Sequence, residues 1–532
     1  MTTELNQLPG TIPELLASRA ATTPDKPFIV DGGVTLTYQQ TQDQGNALAA
    51  WLLSQGCQPG DRVALWAPNC YQWIVAALGA QIMGATVVTL NTRYKGAEAA
   101  DILQRSGSRF LFSVAEFLDV NYPAQLQSFP LPHLITTITM TVHSQSDQFS
   151  SVLEEGRGFL ATEQGHDALL AAATHVREDT VSDILFTSGT TGLAKGVVTD
   201  HGQNLQAFTA FVDILGLEPS DRYLIINPFF HSFGYKAGWL ATMIAGATAY
   251  PLAVFDVPTV MAQIETHRIN VMPGPPTLFQ SLLDHKDFDR KKMSTLSKAT
   301  TGAAVIPTQL IEDMWQKLGL ETVITAYGLS ETCGLVTMCR RGDDAHTIAT
   351  TSGRSIPNID VAIFDSQGNV LPAMEPGEIV VKGYNVMRSY FENPAATAET
   401  IDPQGWLHTG DIGFLDAAGN LHITDRLKDM YISGGFNCYP AEIEQQLCQH
   451  PSVAQAAVIG APDTRMGEVG AAFLISKNPH PPGDQEIIGW CRGVMANYKV
   501  PREVFWVESL PLNATGKVLK TELRKQLNLF KG

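Results

Sequence analysis

Two stretches of this chain repeat one pattern. Asp61-Arg62-Val63-Ala64-Leu65-Trp66-Ala67-Pro68 leads into a helical pattern ending at Met83-Gly84-Ala85-Thr86-Val87-Val88. Asp221-Arg222-Tyr223-Leu224-Ile225-Ile226-Asn227-Pro228 leads into another, ending at Ala245-Gly246-Ala247-Thr248-Ala249-Tyr250. The separation is 160 residues at the Asp-Arg end and 162 at the Gly-Ala-Thr end. Each copy reads as strand, proline-bounded loop, helix, glycine C-cap and strand, the signature of a βαβ unit. Parallel strands joined through helices need cover on both faces, so an α/β fold is expected, with two doubly wound subdomains in a large N-terminal domain.

The remaining length fits further units, because 532 residues exceed what one core holds. From about Gly353 short strands (361–365, 377–381 and 413–416) are parted by turn residues, predicting a small β-barrel-like region. After Arg426 mixed patterns return: a helix near 441–449, strands at 453–459 and 471–475, and a helix at 484–495. These predict a smaller α+β C-terminal domain, dividing the chain into 1–427 and 428–532.

Composition narrows the class. With 44% hydrophobic and 17% charged residues the chain reads as globular and ordered. Its net charge of −17 disfavours nucleic acid and anionic membrane as partners, so an anionic substrate must be drawn in by local groups. Seven cysteines, odd in number and never in C-x-x-C, predict reduced thiols, no zinc site and a cytoplasmic location. Residues 1–10 include Glu4 and no apolar core, so no secretory signal is expected. The apolar stretch 238–257 is interrupted by Gly246 and Pro251 and reads as helix, turn and strand, not as an integral membrane segment.

Chemistry first shows in Thr187-Ser188-Gly189-Thr190-Thr191-Gly192-Leu193-Ala194-Lys195-Gly196, which follows a strand-like Ile184-Leu185-Phe186. Glycines let backbone N–H groups converge on an anion, the hydroxyls add donors, and Lys195 adds positive charge. That combination suits a polyphosphate, although the G-x-x-x-x-G-K-[ST] spacing of a P-loop is absent. A flexible linker is the alternative; the lysine and the preceding strand argue against it.

Four further motifs follow in order. They are Tyr327-Gly328-Leu329-Ser330-Glu331, Gly405-Trp406-Leu407-His408-Thr409-Gly410-Asp411, Asp425-Arg426-Leu427-Lys428-Asp429 running into Ser433-Gly434-Gly435, and Pro511-Leu512-Asn513-Ala514-Thr515-Gly516-Lys517. Singly, Ser330 and Glu331 suit a helix N-cap, Asp411 a turn, and Lys517 a solvated surface. Together with the glycine-rich run they resemble the adenylate-forming superfamily (acyl-CoA synthetases, luciferases and peptide-synthetase adenylation domains), and the resemblance covers nearly the whole chain.

That resemblance implies an acyl-CoA synthetase reaction in two steps. A carboxylate attacks the ATP α-phosphate to give acyl-AMP and pyrophosphate, and coenzyme A then displaces AMP. Two anions must meet, with repulsion of about 4 kcal/mol at ~4 Å and an effective dielectric near 20, so Mg2+ and lysines are needed to offset it. By resemblance, Thr187, Ser188, Gly189, Thr190, Thr191, Gly192 and Lys195 cradle the phosphates, Ser330 contacts phosphate, and Glu331 holds the metal. Tyr327 with Gly328, and Gly302-Ala303-Ala304 opposite, enclose adenine. Asp411 takes the ribose hydroxyls, Arg426 reads ribose and phosphate, and Lys517 bridges carboxylate and α-phosphate. Lys428 is the hinge of a mobile C-terminal domain, and Gly434 and Gly435 line the pantetheine path. Two departures stand out: Ser330 where the family more often has threonine, and Ala194 where it usually has proline, which bears on loop rigidity.

The acid pocket is placed on Phe229-Phe230-His231-Ser232-Phe233-Gly234, with His231, Phe233 and Gly234 lining it; a packed core histidine is the alternative for His231. Amino-acid-activating relatives carry an aspartate just after this segment, whereas this chain reads Tyr235-Lys236. No carrier-protein segment follows Lys517, which favours free CoA. Residues 90–98, 228–239 and 338–344 are similar to the CoA ligases that activate the indane-propanoate left by bacterial steroid-ring cleavage. Lys236 is then expected to donate to a ketone of that acid. A medium-chain fatty or aryl acid is the competing substrate, and a luciferase-like oxygenase shares every motif. A serine hydrolase is disfavoured because Gly328-Leu329-Ser330-Glu331-Thr332 lacks the last glycine of G-x-S-x-G. Oligomeric state stays open, a homodimer included.

Overall fold

The computed structural model describes residues 9–143, 147–187, 194–302, 306–426, 429–433, 436–463, 466–495, 497–512 and 518–531. The repeated pattern folds twice in the same way. Strand Arg62–Trp66 pairs in parallel with Thr86–Thr89, with Arg62 opposite Thr86 and Val63 opposite Val87. Strand Arg222–Ile225 pairs with Thr248–Pro251 in the same register, Arg222 opposite Thr248 and Tyr223 opposite Ala249. The entry turns also match, because Asp61 Oδ2 accepts from Gln58 N and Asp221 Oδ2 from Glu218 N, both at 2.8 Å. Gly84 and Gly246 leave their helices at φ +83° and +68°, the left-handed region where a side chain is strained.

The duplication reaches further upstream than the sequence pattern shows. A hairpin of Pro27–Asp31 and Val34–Thr37 precedes helix Tyr38–Ser54, and a hairpin of Val181–Thr187 and Lys195–Asp200 precedes helix His201–Leu215. Both helices open on reciprocal capping boxes, Thr37 with Gln40 and Asp200 with Gln203. The hairpins are exchanged between the halves. Pro27–Asp31 lies parallel to Thr248–Pro251 of the second half, and Val181–Thr187 lies parallel to Thr86–Thr89 of the first.

Two sheets result. Among the described residues the first has seven strands, running parallel from Val181–Thr187 through Thr86–Thr89, Arg62–Trp66 and Phe110–Val114 to Thr136–Met140. The second has nine, with a parallel centre from Pro27–Asp31 through Arg222–Ile225 to Thr322–Tyr327. Helix Tyr71–Ile82 is buried at every residue and mostly apolar, and its two glutamines are hydrogen-bonded, Gln72 donating to the Thr141 carbonyl and Gln81 to the Tyr235 hydroxyl. Its Trp73 meets Phe229, Tyr235 and Trp239 of the second half at ring centroids of 5.4, 5.6 and 6.2 Å. Asn69 ties the halves with its amide: Nδ2 donates to the carbonyls of Ile225 and Asn227, and Oδ1 accepts from Phe229 N.

The 238–257 stretch folds as a π-helical turn Tyr235–Leu240, helix Ala241–Ala245 and strand Thr248–Pro251. No helix among the described residues is long and apolar enough to cross a membrane. The β region is a four-stranded antiparallel sheet ordered Ile359–Phe364, Gly377–Gly383, Leu407–Leu415 and Leu421–Arg426. Among the described residues the first and last of these strands lie at its edges, and this sheet is the β region that the turn-rich sequence predicts. Beyond it, Gly467–Ser476 centres a further sheet, with the long strand Val453–Asp463 at its edge, and the faces of that sheet carry separate cores, one around Ile487 and Val504 and one around Phe473 and Leu523.

Candidate active site

The glycine-rich run joins two antiparallel strands. Thr187 ends one, Lys195 begins the other, and the two are cross-strand partners, with Thr187 Oγ1 donating to the Lys195 carbonyl at 3.4 Å. It is therefore a hairpin connection, unlike the strand-to-helix turn of a P-loop. Ser188, Gly189, Thr190, Thr191 and Gly192 lie outside the described residues. Arg105 of helix Gly96–Ser106 donates to the Ala194 carbonyl at 2.8 Å and lies 5.2 Å from the centre of the Phe186 ring. One guanidinium thus holds both shoulders of the run, a contact the sequence reading missed.

Lys195 and Glu331, 136 residues apart in sequence, meet through Tyr390. The Lys195 ammonium lies 4.7 Å from the centre of the Tyr390 ring, and the Tyr390 hydroxyl donates to Glu331 Oε1 at 2.8 Å. Tyr390 arrives there on the short strand Ser389–Tyr390, which pairs with Lys195–Asp200 opposite Val197. Burial and the neighbouring Glu331 carboxylate push its phenol up, so it remains a protonated donor. Glu331 and Ser330 share the 3-10 turn Ser330–Thr332, and the Glu331 carbonyl accepts from Met387 N at 2.8 Å. A Cβ on Gly328 would lie 2.3 Å from the Gly334 carbonyl, so only glycine lets the chain turn there. No cluster of three or more His, Cys, Asp or Glu able to hold a metal occurs among the described residues. A half-buried single carboxylate such as Glu331 fits Mg2+, which takes one or two protein carboxylates and completes its shell with phosphate and water.

The residues expected around the nucleoside also converge. Tyr327, ending strand Thr322–Tyr327, donates from its hydroxyl to Asp411 Oδ2 at 2.6 Å, and Asp411 is buried on strand Leu407–Leu415. Arg426 is the cross-strand partner of Asp411. Gly302 follows strand Lys298–Thr301, the parallel neighbour of Thr322–Tyr327, where a Cβ would stand 3.3 Å from the Ala326 carbonyl. Ala303, Ala304, Lys428, Gly434, Gly435 and Lys517 lie outside the described residues.

The acid-pocket segment folds tightly on itself. A Cβ on Gly234 would fall 2.2 Å from the carbonyls of both Asn227 and Pro228. His231 Nδ1 accepts from Phe233 N, and burial, helped by the Lys236 charge, lowers its pKa to about 4, which keeps the imidazole neutral near pH 7. Phe233 is half-buried against the main core. Lys236 differs from expectation. It is 1% exposed, and its ammonium meets Asp183 Oδ1 at 3.0 Å and Thr199 Oγ1 at 2.9 Å. A charge buried this deeply must be paired, so the ammonium turns inward to that carboxylate and not toward a substrate ketone. Within 338–344, Arg340 donates to the Ser355 carbonyl, Asp343 pairs with Arg354, and Asp344 caps helix Ala345–Thr350. That signature braces strand ends.

Fold and site together define an adenylate-forming enzyme. The chain belongs to the AMP-binding enzyme family, whose profile matches residues 16–391, and the AMP-binding enzyme C-terminal domain matches residues 442–517. It is an AMP-forming acyl-CoA ligase. It is 46% identical to the 7a-methyl-1,5-dioxo-octahydroindenyl-propanoyl:CoA ligase of Rhodococcus jostii RHA1, over 98% of this chain and 100% of that protein. Identity is also 46% to the ligase of that name from Mycobacterium tuberculosis H37Rv, over 97% and 98% of the two chains. The Bacillus subtilis o-succinylbenzoate CoA synthetase, solved with its acyl-adenylate intermediate, superposes with a TM-score of 0.80 at 29% identity, covering 96% of this chain and 97% of that one.

Proposed function

We propose that this ligase activates a bulky fused-ring propanoic acid, a methyl-dioxo-octahydroindene propanoate of the kind left by steroid-ring cleavage, and transfers it to coenzyme A. The observation that carries the reading is the 46% identity over essentially full length to two ligases named for that acyl group. The geometry supplies roles consistent with it. Lys195 presents its charge to the departing pyrophosphate; Glu331, oriented by Tyr390, is the residue to hold Mg2+, which when bound offsets phosphate charge. Tyr327, Asp411 and Arg426 receive the nucleoside, with Gly302 beside them, and the 228–234 segment receives the acid. Residues 428–532 act as the mobile domain, hinged at Lys428. That domain delivers Lys517 for adenylation and Gly434 and Gly435 for thioester formation. The seven free cysteines support a reducing, cytoplasmic setting.

An acid panel tests the substrate. AMP release dependent on ATP and CoA should show kcat/KM for the indane-propanoate about 100-fold above octanoate or ferulate. Parity with either would replace the substrate reading by a medium-chain or aryl one. In the same assay Lys517→Ala should lower adenylate formation by about 100-fold or more while sparing thioester formation from supplied acyl-adenylate. Equal loss in both half-reactions would remove Lys517 from its role.

A further inference from the structure

A fully buried ion pair lies next to the acid-pocket segment. Asp183 is 0% exposed on strand Val181–Thr187. Its Oδ1 accepts from Thr199 Oγ1 at 2.8 Å and faces the Lys236 ammonium at 3.0 Å. Its Oδ2 accepts from Ser182 Oγ at 2.7 Å and Asn204 Nδ2 at 2.8 Å. Removing two charges from water costs several kcal/mol per ion, and apolar residues of similar volume often serve the fold as well or better.

The duplication provides the control. Asp183 stands opposite Val87, and the residue opposite Ala249, the counterpart of Val87, is Ile29. Counting back from Gly84 and Gly246, Lys236 corresponds to Ile74, or to Val75 if the π-helical turn holds one extra residue. Ile29, Ile74 and Val75 are all 0% exposed. At the positions that match the ion pair the first half carries apolar residues, so the same frame does not require the pair.

What distinguishes the second half is what the two charges connect. Asp183 is four residues before Thr187, on the strand that enters the glycine-rich run. Lys236 is two residues after Gly234, in the π-helical turn Tyr235–Leu240. Thr199, which bridges them, lies on the strand that leaves the run. We propose that Lys236 and Asp183 are positioning residues for acid activation: their buried pair registers the acid-pocket segment against the strands that carry the phosphate-binding run. The inference rests on the proposed acid site but not on the identity of the acid. It places the acid carboxylate relative to the α-phosphate, where an error of ~1 Å can cost about 100-fold in rate.

The test uses the full chain and whichever acid the wild type activates best, so a failed substrate assignment leaves it intact. Lys236→Met strands a buried carboxylate and should melt well below wild type, whereas the double variant Asp183→Asn/Lys236→Met removes both charges and should recover most of that loss. In acid-dependent pyrophosphate exchange the double variant should raise KM for the acid about tenfold while KM for ATP stays within about twofold. Thr199→Val, which keeps both charges and loses only the bridging hydroxyl, should raise the acid KM about threefold, giving a second readout if the double variant folds poorly. A double variant with wild-type acid KM would overturn the proposal, as would an equal rise in both KM values or an unaltered acid KM in Thr199→Val.

Discussion

The two halves of the duplication share a frame and differ in what they are loaded with. The first hairpin closes in two residues, Gly32-Gly33, with Asp31 paired to Val34; the second opens between Thr187 and Lys195 to carry the glycine-rich run. The first helix to follow begins with Tyr38, whose hydroxyl donates to the Ala247 carbonyl, and the second with His201, likewise fully buried. After the proline of each loop, the first half enters helix Tyr71–Ile82 through Asn69 and Cys70, and the second enters its helical run at Ser232 through Phe229, Phe230 and His231, with Gly234 packed back against the Asn227 and Pro228 carbonyls. One copy is a largely apolar brace, and the other carries the glycine-rich run and most of the buried titratable groups. Because each hairpin sits in the other half's sheet, the brace directly supports the phosphate-binding strands.

The largest effect is expected where the second half is tightest. Gly234→Ala puts a Cβ against two backbone oxygens that have no side-chain freedom to move away. It should cost about 3 kcal/mol or more in stability and, by displacing His231 and Phe233, lower kcat/KM for the acid about 100-fold. Gly45→Ala, in the helix packed on the first half, meets only the movable Ile82 Cδ1 at 2.9 Å and should be close to neutral. Similar losses at both glycines, by thermal melting and acid kinetics, would mean the second loop is no more constrained than the first half.

A smaller contrast lies in the repeated aspartates. Asp221, 2% exposed, pairs with Lys298 at 2.8 Å and accepts from Asn270, whereas Asp61, 16% exposed, pairs with the more open Arg109. Asparagine keeps the turn acceptor in both cases and removes the charge. Asp221→Asn should cost about 2 kcal/mol, because it leaves Lys298 partly buried and unpaired, and Asp61→Asn less than about 1 kcal/mol. Urea midpoints decide between them; equal shifts would show that the difference in burial carries no energetic weight.

Much of this was legible in the chain. Parallel pairing of the repeats followed from Asp-Arg and Gly-Ala-Thr, because a glycine C-cap and a proline-bounded loop impose local conformations. The upstream hairpins were not legible. Lys195-Gly196-Val197-Val198-Thr199-Asp200 is short, and its strand character comes from pairing with residues 181–187. Tyr390 gave no signal either, since it reaches Glu331 only through cross-strand pairing with Val197. Lys236 shows the limit most clearly. Its position beside the pocket segment was readable, but the direction of its side chain depends on Asp183, 53 residues earlier.

A last contrast separates Tyr38 from His201 by pH. Burial lowers the His201 pKa to about 4, the nearby Asp183 only partly opposing it, while an exposed histidine in the unfolded chain titrates near 6.5. Between those values the unfolded chain binds a proton that the folded protein does not, so stability falls as pH drops from about 6.5 toward about 4 and levels off below. At pH 5 the loss from this one residue is about 2 kcal/mol relative to pH 8. Tyr38, its pKa raised by burial, contributes nothing over that range. Urea unfolding of wild type and His201→Gln at pH 8 and pH 5 isolates the term: the variant should lose about 2 kcal/mol less between the two pH values. An identical pH dependence in both proteins would show that His201 takes up its proton in the folded state, and that the buried helix start of the second half is as open to water as a loop.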